Sequence, residues 1–320
     1  MVSKLQNAKK LISIATVMGI CRVLSALGRS KQAMRLIGRY VNSRHWKSPA
    51  FAGYQPTEQD VFVATFAKSG TNWMLQIAQQ IAHTGSAEFA HIHDVVPWPD
   101  APFPEIRARL SDCTTSQFSP TGLRIIKTHY DRAFVPFNER AKYITVIRDP
   151  KEMVVSSFYF AKDFFDILGV TYDFEQWLAA AMRPSFLFGD WAAHTASWWA
   201  VRNESNMFVV TYSDLKRNPA ELMEQISWFM GVQLTPEQLT SVVERSSFAW
   251  MKAHESRFQA LMPPRLRRER RPLMMRNGQS GKSGELLSAS QQFMVDKFFR
   301  TRLKQLSSDF PYDEMFQSAI

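Results

Sequence analysis

The stretch that most constrains the fold is residues 61–73, which read VFVATFAKSGTNW. Val61–Phe66 is β-branched and aromatic and carries no charge, which is typical of a strand buried on both faces of a parallel sheet. Ala67–Asn72 is a small polar turn, and helical apolar spacing follows it. A strand, a tight loop and a helix in this order place free backbone N–H groups where a phosphate binds, and Lys68 adds a full charge. The alternative is an ordinary turn with an incidental lysine. An alanine before the lysine excludes a Walker A loop.

The rest of the chain alternates predicted strands with predicted helices. Three more strands are predicted, at Arg124–His129, Tyr143–Ile147 and Met207–Tyr212. Helices are predicted from Asn72 to about Gly85, and at Lys151–Phe165, Phe174–Met182, Trp191–Asn203, Pro219–Met230, Pro236–Ser246 and Ser290–Gln305. His91–Pro104 holds four prolines and is predicted to be irregular. The alternation indicates an α/β fold, a three-layer sandwich with a mostly parallel central sheet and a P-loop-like loop, in a single domain.

Polar side chains follow three of these strands directly. They are Lys68 after the first, Lys127 with His129 at the end of the second, and Arg148 after the third. In open α/β sheets the ligand lies beyond the carboxyl ends of the strands, so these groups are expected to converge. Each of these residues, taken alone, has an ordinary structural explanation: the histidine could lie at the surface, and the arginine could cap a turn. Their recurrence at successive strand ends favours an anion-binding site.

Charge and cysteine content narrow the expected partners. The chain has 320 residues and a net charge of +10, which favours an anionic ligand, a membrane surface or nucleic acid. The charge by itself does not choose among these partners, although its sign fits the phosphate loop. We predict a small-molecule acceptor and no nucleic acid. His91 and His93 have a spacing that can ligate a metal, but no further ligands complete a set, so no metal site is predicted.

Cys21 and Cys113 are assigned to packing, in a reducing compartment such as the cytoplasm.

The N-terminal region is predicted to form two basic amphipathic helices. Lysines precede an apolar run from Leu11 to Cys21, and residues 28–44 are again basic and amphipathic. The uninterrupted run is too short to span a bilayer. Two explanations stay open: the helices dock on the main domain, or residues 1–45 make peripheral contact with a membrane. We predict an extension at residues 1–50 and the main domain at residues 51–320.

Five motifs resemble those of the cytosolic sulfotransferases and occur in that family's order. Residues 68–73 resemble the PKSGTTW loop, residues 127–129 the KTH strand, residues 148–156 RNPKDxxxS, residues 189–199 the G-S-W…H…GWW helix, and residues 212–219 YEDMKxNP. The resemblance covers roughly residues 61–278 and implies the sulfotransferase fold. It also implies 3′-phosphoadenosine 5′-phosphosulfate (PAPS) as donor, with no metal required. The implied reaction is transfer of the sulfuryl group to a hydroxyl or amine of a small molecule.

The resemblance also implies roles for individual residues. His129 is the base, Lys68 neutralises the leaving oxygen, and Lys127 stabilises charge on the transferring group. The implied donor-binding residues are Lys68, Ser69, Gly70, Thr71, Asn72, Trp73, Arg148, Ser156, Tyr212, Ser246, Phe248, Arg276, Asn277 and Gly278. Within this set Arg148, Ser156 and the late Arg276–Gly278 loop hold the 3′-phosphate. The aromatic members hold adenine.

The chain departs from the family pattern at several places. Ala67 replaces the usual proline, and Asn72 replaces a threonine that donates to the 5′-phosphate, although the asparagine amide is also a donor. The family's Trp-Lys-Asn segment is missing within residues 278–285. This weakens the implied contact of the Arg276–Gly278 loop with the 3′-phosphate. The KxxxTVE dimer motif is absent, so no oligomeric state is predicted. The arginine-rich run Arg265–Arg271 is typical of a solvated loop, and we hypothesise that it acts as a cationic lid.

Acceptor specificity is predicted from aromatic residues near the proposed acceptor side. They are Phe66, Trp98, Phe158, Phe160 and Phe188. We predict an apolar pocket for a small hydrophobic alcohol, phenol or sterol-like molecule, with packing in the core as the alternative for several of them.

Two other classes of function stay open from the residues alone. A nucleotide-dependent phosphotransferase would need a Mg²⁺-binding aspartate at a strand end, for which Asp149 and Asp214 are the candidates. A non-catalytic nucleotide-binding protein would be held at a membrane by its N-terminal helices.

Overall fold

In the part of the chain that the structure describes, four parallel strands form the central sheet and end at one edge. The computed structural model describes residues 16–41, 50–110, 119–167, 170–262, 274–276 and 283–316. The strands are β1 (Asp60–Ala64), β2 (Arg124–Thr128), β3 (Lys142–Ile147) and β4 (Met207–Thr211), in the order β2-β1-β3-β4. β1 pairs in parallel with β2 and β3, and β3 with β4. The predicted α/β fold with a parallel central sheet is therefore confirmed.

Helices follow the strands, close to the predicted positions. They span residues 16–26, Ser30–Val41, Thr71–Ala82, Ile92–Val95, Pro150–Ile167, Phe174–Ala181, Trp191–Trp199, Tyr212–Arg217, Pro219–Met230, Pro236–Arg245, Phe248–Ala253, Ala289–Gln305 and Tyr312–Met315. One difference from the sequence prediction is the single helical turn inside the segment expected to be irregular. It ends before the first of the four prolines, because proline cannot continue a helix.

The sheet is covered on both faces. Val61 and Val63 of β1 belong to a core cluster with the Thr71–Ala82 helix, whereas Phe62 and Ala64 belong to a second cluster with Tyr143 and Trp198. This alternation follows from the two-residue period of a strand. All five residues of β1 are buried, as the uncharged sequence predicts for a central parallel strand.

The two N-terminal helices that the structure describes pack against the helical layer. Cys21, Met34 and Ile37 are buried in the same core cluster as Phe165 and Trp177. Within the described residues, no helix is long and apolar enough to cross a bilayer. The docking of residues 16–41 therefore agrees with the first of the two explanations raised by the sequence.

Close contact between the Ser30–Val41 helix and the residues after the Phe174–Ala181 helix requires a glycine. A Cβ atom on Gly38 would overlap the backbone carbonyl oxygen of Ser185. By contrast, a Cβ atom on Gly19 in the preceding helix would meet nothing within 4 Å.

These two glycines give opposite predictions for substitution by alanine. Gly19→Ala should stabilise the protein by up to about 1 kcal/mol through helix propensity. Gly38→Ala should destabilise it by about 1–3 kcal/mol, because the overlap is with backbone that cannot rotate away. Thermal and denaturant unfolding of both variants measure the difference. Equal stability of the two variants would contradict the packing described for the Ser30–Val41 helix.

Candidate functional site

The loop after β1 has the conformation of an anion-binding turn. Lys68 has φ 67° and Gly70 has φ 89°, both in the left-handed region. Left-handed backbone at a non-glycine residue is uncommon and strained, and it is enriched at functional sites. The Thr71–Ala82 helix begins here without a side-chain cap, so its first N–H groups face the loop. A Cβ atom on Gly70 would lie 2.8 Å from the Tyr212 ring, which explains the glycine.

Two polar loop residues have structural partners. The Thr71 hydroxyl lies 2.6 Å from the Thr65 hydroxyl, and Asn72 Nδ2 donates to the Phe258 carbonyl at 2.9 Å. The asparagine that replaces the expected threonine therefore ties the loop to a distant segment. Both residues also line the cavity described below.

Aromatic side chains form one wall beside the loop. Trp73 donates from Nε1 to the Ser246 carbonyl at 2.8 Å and meets the Tyr212 ring edge to face, with centroids 5.6 Å apart. Phe248 lines the cavity and is 42% exposed, which is unusual for a phenylalanine of a folded protein. An exposed aromatic face beside a phosphate loop suits stacking on a planar base.

Arg148 lies directly behind the loop. Its guanidinium donates to the Lys68 carbonyl at 2.9 Å, pairs with Glu152 at 3.1 Å and stacks over the Tyr212 ring. Ser156 lies one helical turn beyond Glu152 and lines the same cavity. The predicted arginine and serine are thus brought together.

Two hydroxyls at the loop side of the site are buried and unused. Ser69 and Ser246 are fully buried, and within the described residues neither Oγ atom has a hydrogen-bond partner. Leaving a buried hydroxyl without a partner costs about 1–3 kcal/mol. Phosphate oxygens would satisfy such hydroxyls, but neither residue lines the cavity described below, so their predicted contact with the nucleotide stays a prediction.

His129 follows β2 and has a defined tautomer. Its Nδ1 lies 2.8 Å from the Thr65 carbonyl oxygen, which can only accept, so Nδ1 carries the proton and Nε2 has the free lone pair. The His129 backbone N–H donates to Asp100 at 2.8 Å. The ring is therefore fixed with its basic nitrogen in the cavity lining.

Lys127 is held by neighbours that the sequence analysis did not connect with it. Its ammonium lies 3.5 Å from the centroid of the Trp98 ring and 3.4 Å from His93 Nε2. His93 Nδ1 lies 3.1 Å from the Val96 carbonyl, so its Nε2 accepts from Lys127. His93, considered above as a metal ligand, instead positions a lysine.

Burial makes these cations easy to deprotonate. Desolvation, with the nearby Arg148 charge as a second cause, lowers the pKa of Lys68 to about 7. Desolvation also lowers the pKa of Lys127 to about 7. Burial and then the Lys127 charge lower the pKa of His129 to about 3. Near neutral pH, His129 is therefore a neutral acceptor beside two lysines close to their titration point.

Asp100 is a site residue that sequence reasoning missed. Burial raises the pKa of its carboxyl to about 6, and the group accepts the His129 N–H. Its signal was weak because it lies in a proline-rich segment without periodicity. Only the fold brings that segment against the end of β2.

Most of the predicted site residues that the structure describes line a cavity of about 700 Å³, whereas Ser69 and Ser246 do not. Lys68, Lys127, His129 and Arg148 all line it, so residues far apart in the sequence meet at the sheet edge as predicted. Its apolar lining residues include Trp98, Phe103, Phe160, Leu187 and Phe188. The Lys68 ammonium lies 4.4 Å from the Phe160 centroid, so the aromatic lining adjoins the cations.

Two of the predicted acceptor residues do not reach the cavity. Phe66 is 3% exposed and packs edge to face on His194. Phe158 is in the core against Tyr172 and Phe174. The prediction for Phe158 fails because a residue two positions from Ser156 points about 200° around the helix.

The late loop is described only in part. Arg276 lines the cavity, pairs with Glu285 at 2.7 Å and stacks over Tyr159. Asn277, Gly278 and the Arg265–Arg271 run lie outside the described residues, so their predicted roles stay predictions.

The carboxylates required by a phosphotransferase are engaged elsewhere. Asp149 pairs with Lys151 at 3.2 Å, and Asp214 pairs with Arg217 at 3.1 Å and accepts from the Thr211 hydroxyl. Neither residue lines the cavity.

Comparison with known proteins gives a consistent result. The profile of the family described as "Sulfotransferase domain" matches residues 58–307. Human sulfotransferase 2B1 is 30% identical over 265 residues, covering 80% of this chain and 69% of the relative. The 3-beta-hydroxysteroid sulfotransferase of Cavia porcellus is 27% identical over 261 residues, covering 80% and 88%.

The structural comparison gives the same fold. The crystal structure of retinol dehydratase in complex with androsterone and the inactive cofactor PAP matches with a TM-score of 0.66 and 18% identity, covering 84% of this chain and 88% of that one. The predicted family and fold are confirmed, and the chain belongs to the sulfotransferase family.

Proposed function

We propose that this protein transfers the sulfuryl group of PAPS to the hydroxyl of a hydrophobic small molecule, with His129 as the base. The observation that carries the proposal is that His129, whose Nε2 has a free lone pair, lines one cavity together with Lys68, Lys127, Arg148 and several aromatic side chains. In-line transfer needs positive groups at the leaving phosphate and a base at the acceptor.

The donor-binding residues follow from the site. PAPS supplies the activated sulfuryl group. The loop residues 68–73 hold the 5′ side, Arg148, Ser156 and Arg276 hold the 3′-phosphate, and Trp73, Tyr212 and Phe248 hold adenine. Ser69 and Ser246 donate their unused hydroxyls. Lys68 and Lys127 hold the charge that develops during transfer, in a desolvated setting where each charge acts strongly.

The acceptor is proposed to be an apolar alcohol such as a hydroxysteroid. Trp98, Phe160 and Phe188 line the cavity, and this aromatic lining supports a rigid hydrophobic acceptor. The relatives named for 3-beta-hydroxysteroids and crystallised with androsterone give the same chemical class. We further propose a cytoplasmic location, with membrane contact through residues 1–45 of an N-terminal extension that ends near residue 50.

The base is tested by His129→Ala. The variant should keep binding 3′-phosphoadenosine 5′-phosphate, while kcat for a 3β-hydroxysteroid falls about 10²–10⁴-fold, as expected for loss of a general base. Steady-state kinetics with PAPS and calorimetric titration of the nucleotide measure the two effects.

The matched control for this test is His83→Ala. His83 caps the far end of the 12-residue helix that starts at the loop, which places it about 18 Å away. Its removal should leave kcat unchanged. Full activity of His129→Ala would show that another group takes the proton, and absence of sulfuryl transfer by the unmodified protein would reject the proposed function.

The lysine pKa values predict a pH dependence. In the free protein, Lys68 and Lys127 lose their charge as pH rises through about 7, so affinity for 3′-phosphoadenosine 5′-phosphate should fall above that pH. Above about pH 7 the nucleotide can bind tightly only with proton uptake, which calorimetry in buffers of different ionisation enthalpy measures.

Substitution separates the contributing groups. Lys68→Met should reduce the proton uptake, whereas the exposed Lys304→Met should leave it unchanged. Affinity that stays constant through about pH 7, without proton uptake, would contradict the assignment of these lysines to the donor site.

A further inference from the structure

The helix at residues 16–26 forms part of the roof of the cavity. Val17, Met18 and Arg22 line the cavity from this helix, and Ile37 and Tyr40 line it from the next. These residues belong to a segment that precedes the matched family region, which begins at residue 58.

The same helix is anchored on a second side. Cys21 is fully buried, and the Ser25 hydroxyl accepts from the Thr171 N–H at 3.0 Å. The helix therefore has a fixed orientation, and its third side faces outward.

That outward side is apolar. Ile20, Val23 and Leu27 are 46%, 60% and 66% exposed, and their spacing of three and four residues places them in one stripe. The other large apolar side chains that are exposed in the described residues are Trp228, Phe248, Phe293 and Met294, on three other helices.

The segment that carries the stripe also carries the charge of the whole chain. Residues 1–57 contain ten lysines and arginines and no aspartate or glutamate, which leaves 29 basic and 29 acidic residues in residues 58–320. In residues 16–41, Arg22, Arg29, Lys31, Arg35 and Arg39 are all exposed. An exposed apolar stripe on a segment that carries basic residues and no acidic residue complements the interface of an anionic phospholipid bilayer. Nucleic acid would complement the charge but leave the stripe in water.

We propose that the stripe Ile20, Val23 and Leu27 docks the protein on an anionic phospholipid surface, so that this helix lies between the bilayer and the cavity that it helps to line. The docking narrows the membrane contact proposed above to one stripe, and it does not depend on the proposed sulfuryl transfer. The consequence that rests on it is that the hydrophobic acceptor is taken from the bilayer rather than from water. This makes the N-terminal helix both a pocket wall and a membrane anchor.

The experiment sediments the full-length protein with vesicles of phosphatidylcholine alone or mixed with phosphatidylglycerol. The protein should co-sediment with the mixed vesicles only, and salt should release it. The triple variant Ile20→Gln, Val23→Gln and Leu27→Gln should lose at least tenfold in vesicle affinity. Its fold should persist, because the three side chains are exposed and glutamine is a good helix former.

The matched control replaces an exposed apolar pair elsewhere on the surface. Phe293→Gln with Met294→Gln, in the Ala289–Gln305 helix, should bind vesicles like the unmodified protein. Failure of the unmodified protein to bind mixed vesicles, binding by the triple variant at full affinity, or equal loss in the control would each overturn the docking.

Activity measurements test the acceptor route. With a water-soluble phenol, the triple variant should match the unmodified protein, because the stripe faces away from the cavity. With a hydroxysteroid incorporated in mixed vesicles, its rate should fall at least tenfold. Equal rates on the vesicle-borne steroid would overturn the membrane route. No turnover of either acceptor by the unmodified protein, with vesicle binding intact, would overturn the proposed function and support the docking alone.

Discussion

Parallel pairing of β1 with both of its neighbours is the constraint on which the site depends. The register places Ala64 opposite Thr128 and Val63 opposite Ile144, so the three strands end within a few residues of one another. The side chains that follow these strands therefore lie close together. The hydrogen bond from His129 to the Thr65 carbonyl extends this pairing one step beyond the ladder and fixes the ring. A slip of one residue would turn the histidine to the opposite face.

Several basic side chains are buried together at the carboxyl ends of the strands. Three features of the structure limit the electrostatic cost of this arrangement. Trp98 offers Lys127 an aromatic face, Arg148 has Glu152 as its counter-ion, and both lysines have pKa values lowered to about 7. Together these limit the cost of gathering positive charge before an anion arrives. Burying these cations destabilises the empty site, and the same cations increase its affinity for a highly charged nucleotide.

The N-terminal helices add residues to the cavity lining and basic charge to the protein. They contribute Val17, Met18, Ile37 and Tyr40 to the cavity lining, and residues 16–41 carry five of the ten basic residues that give the chain its net charge. The glycine contact at Ser185 and the Ser25 hydrogen bond hold this addition in one place, so cavity and apolar stripe keep a fixed relation.

The sequence by itself determined the four strands, the loop and the groups at the strand ends, because these signals are local and each strand end carries its own residue type. It also determined the family, since five motifs recur in order. Only the tertiary structure decided which aromatics line the cavity. Phe158 and Phe160 are the same residue type two positions apart on one helix, so their side chains point in nearly opposite directions. Phe158 is therefore in the core, and Phe160 lines the cavity. Asp100 and the roof helix were likewise beyond sequence reasoning, because their roles arise from contacts between segments that carry no shared local pattern.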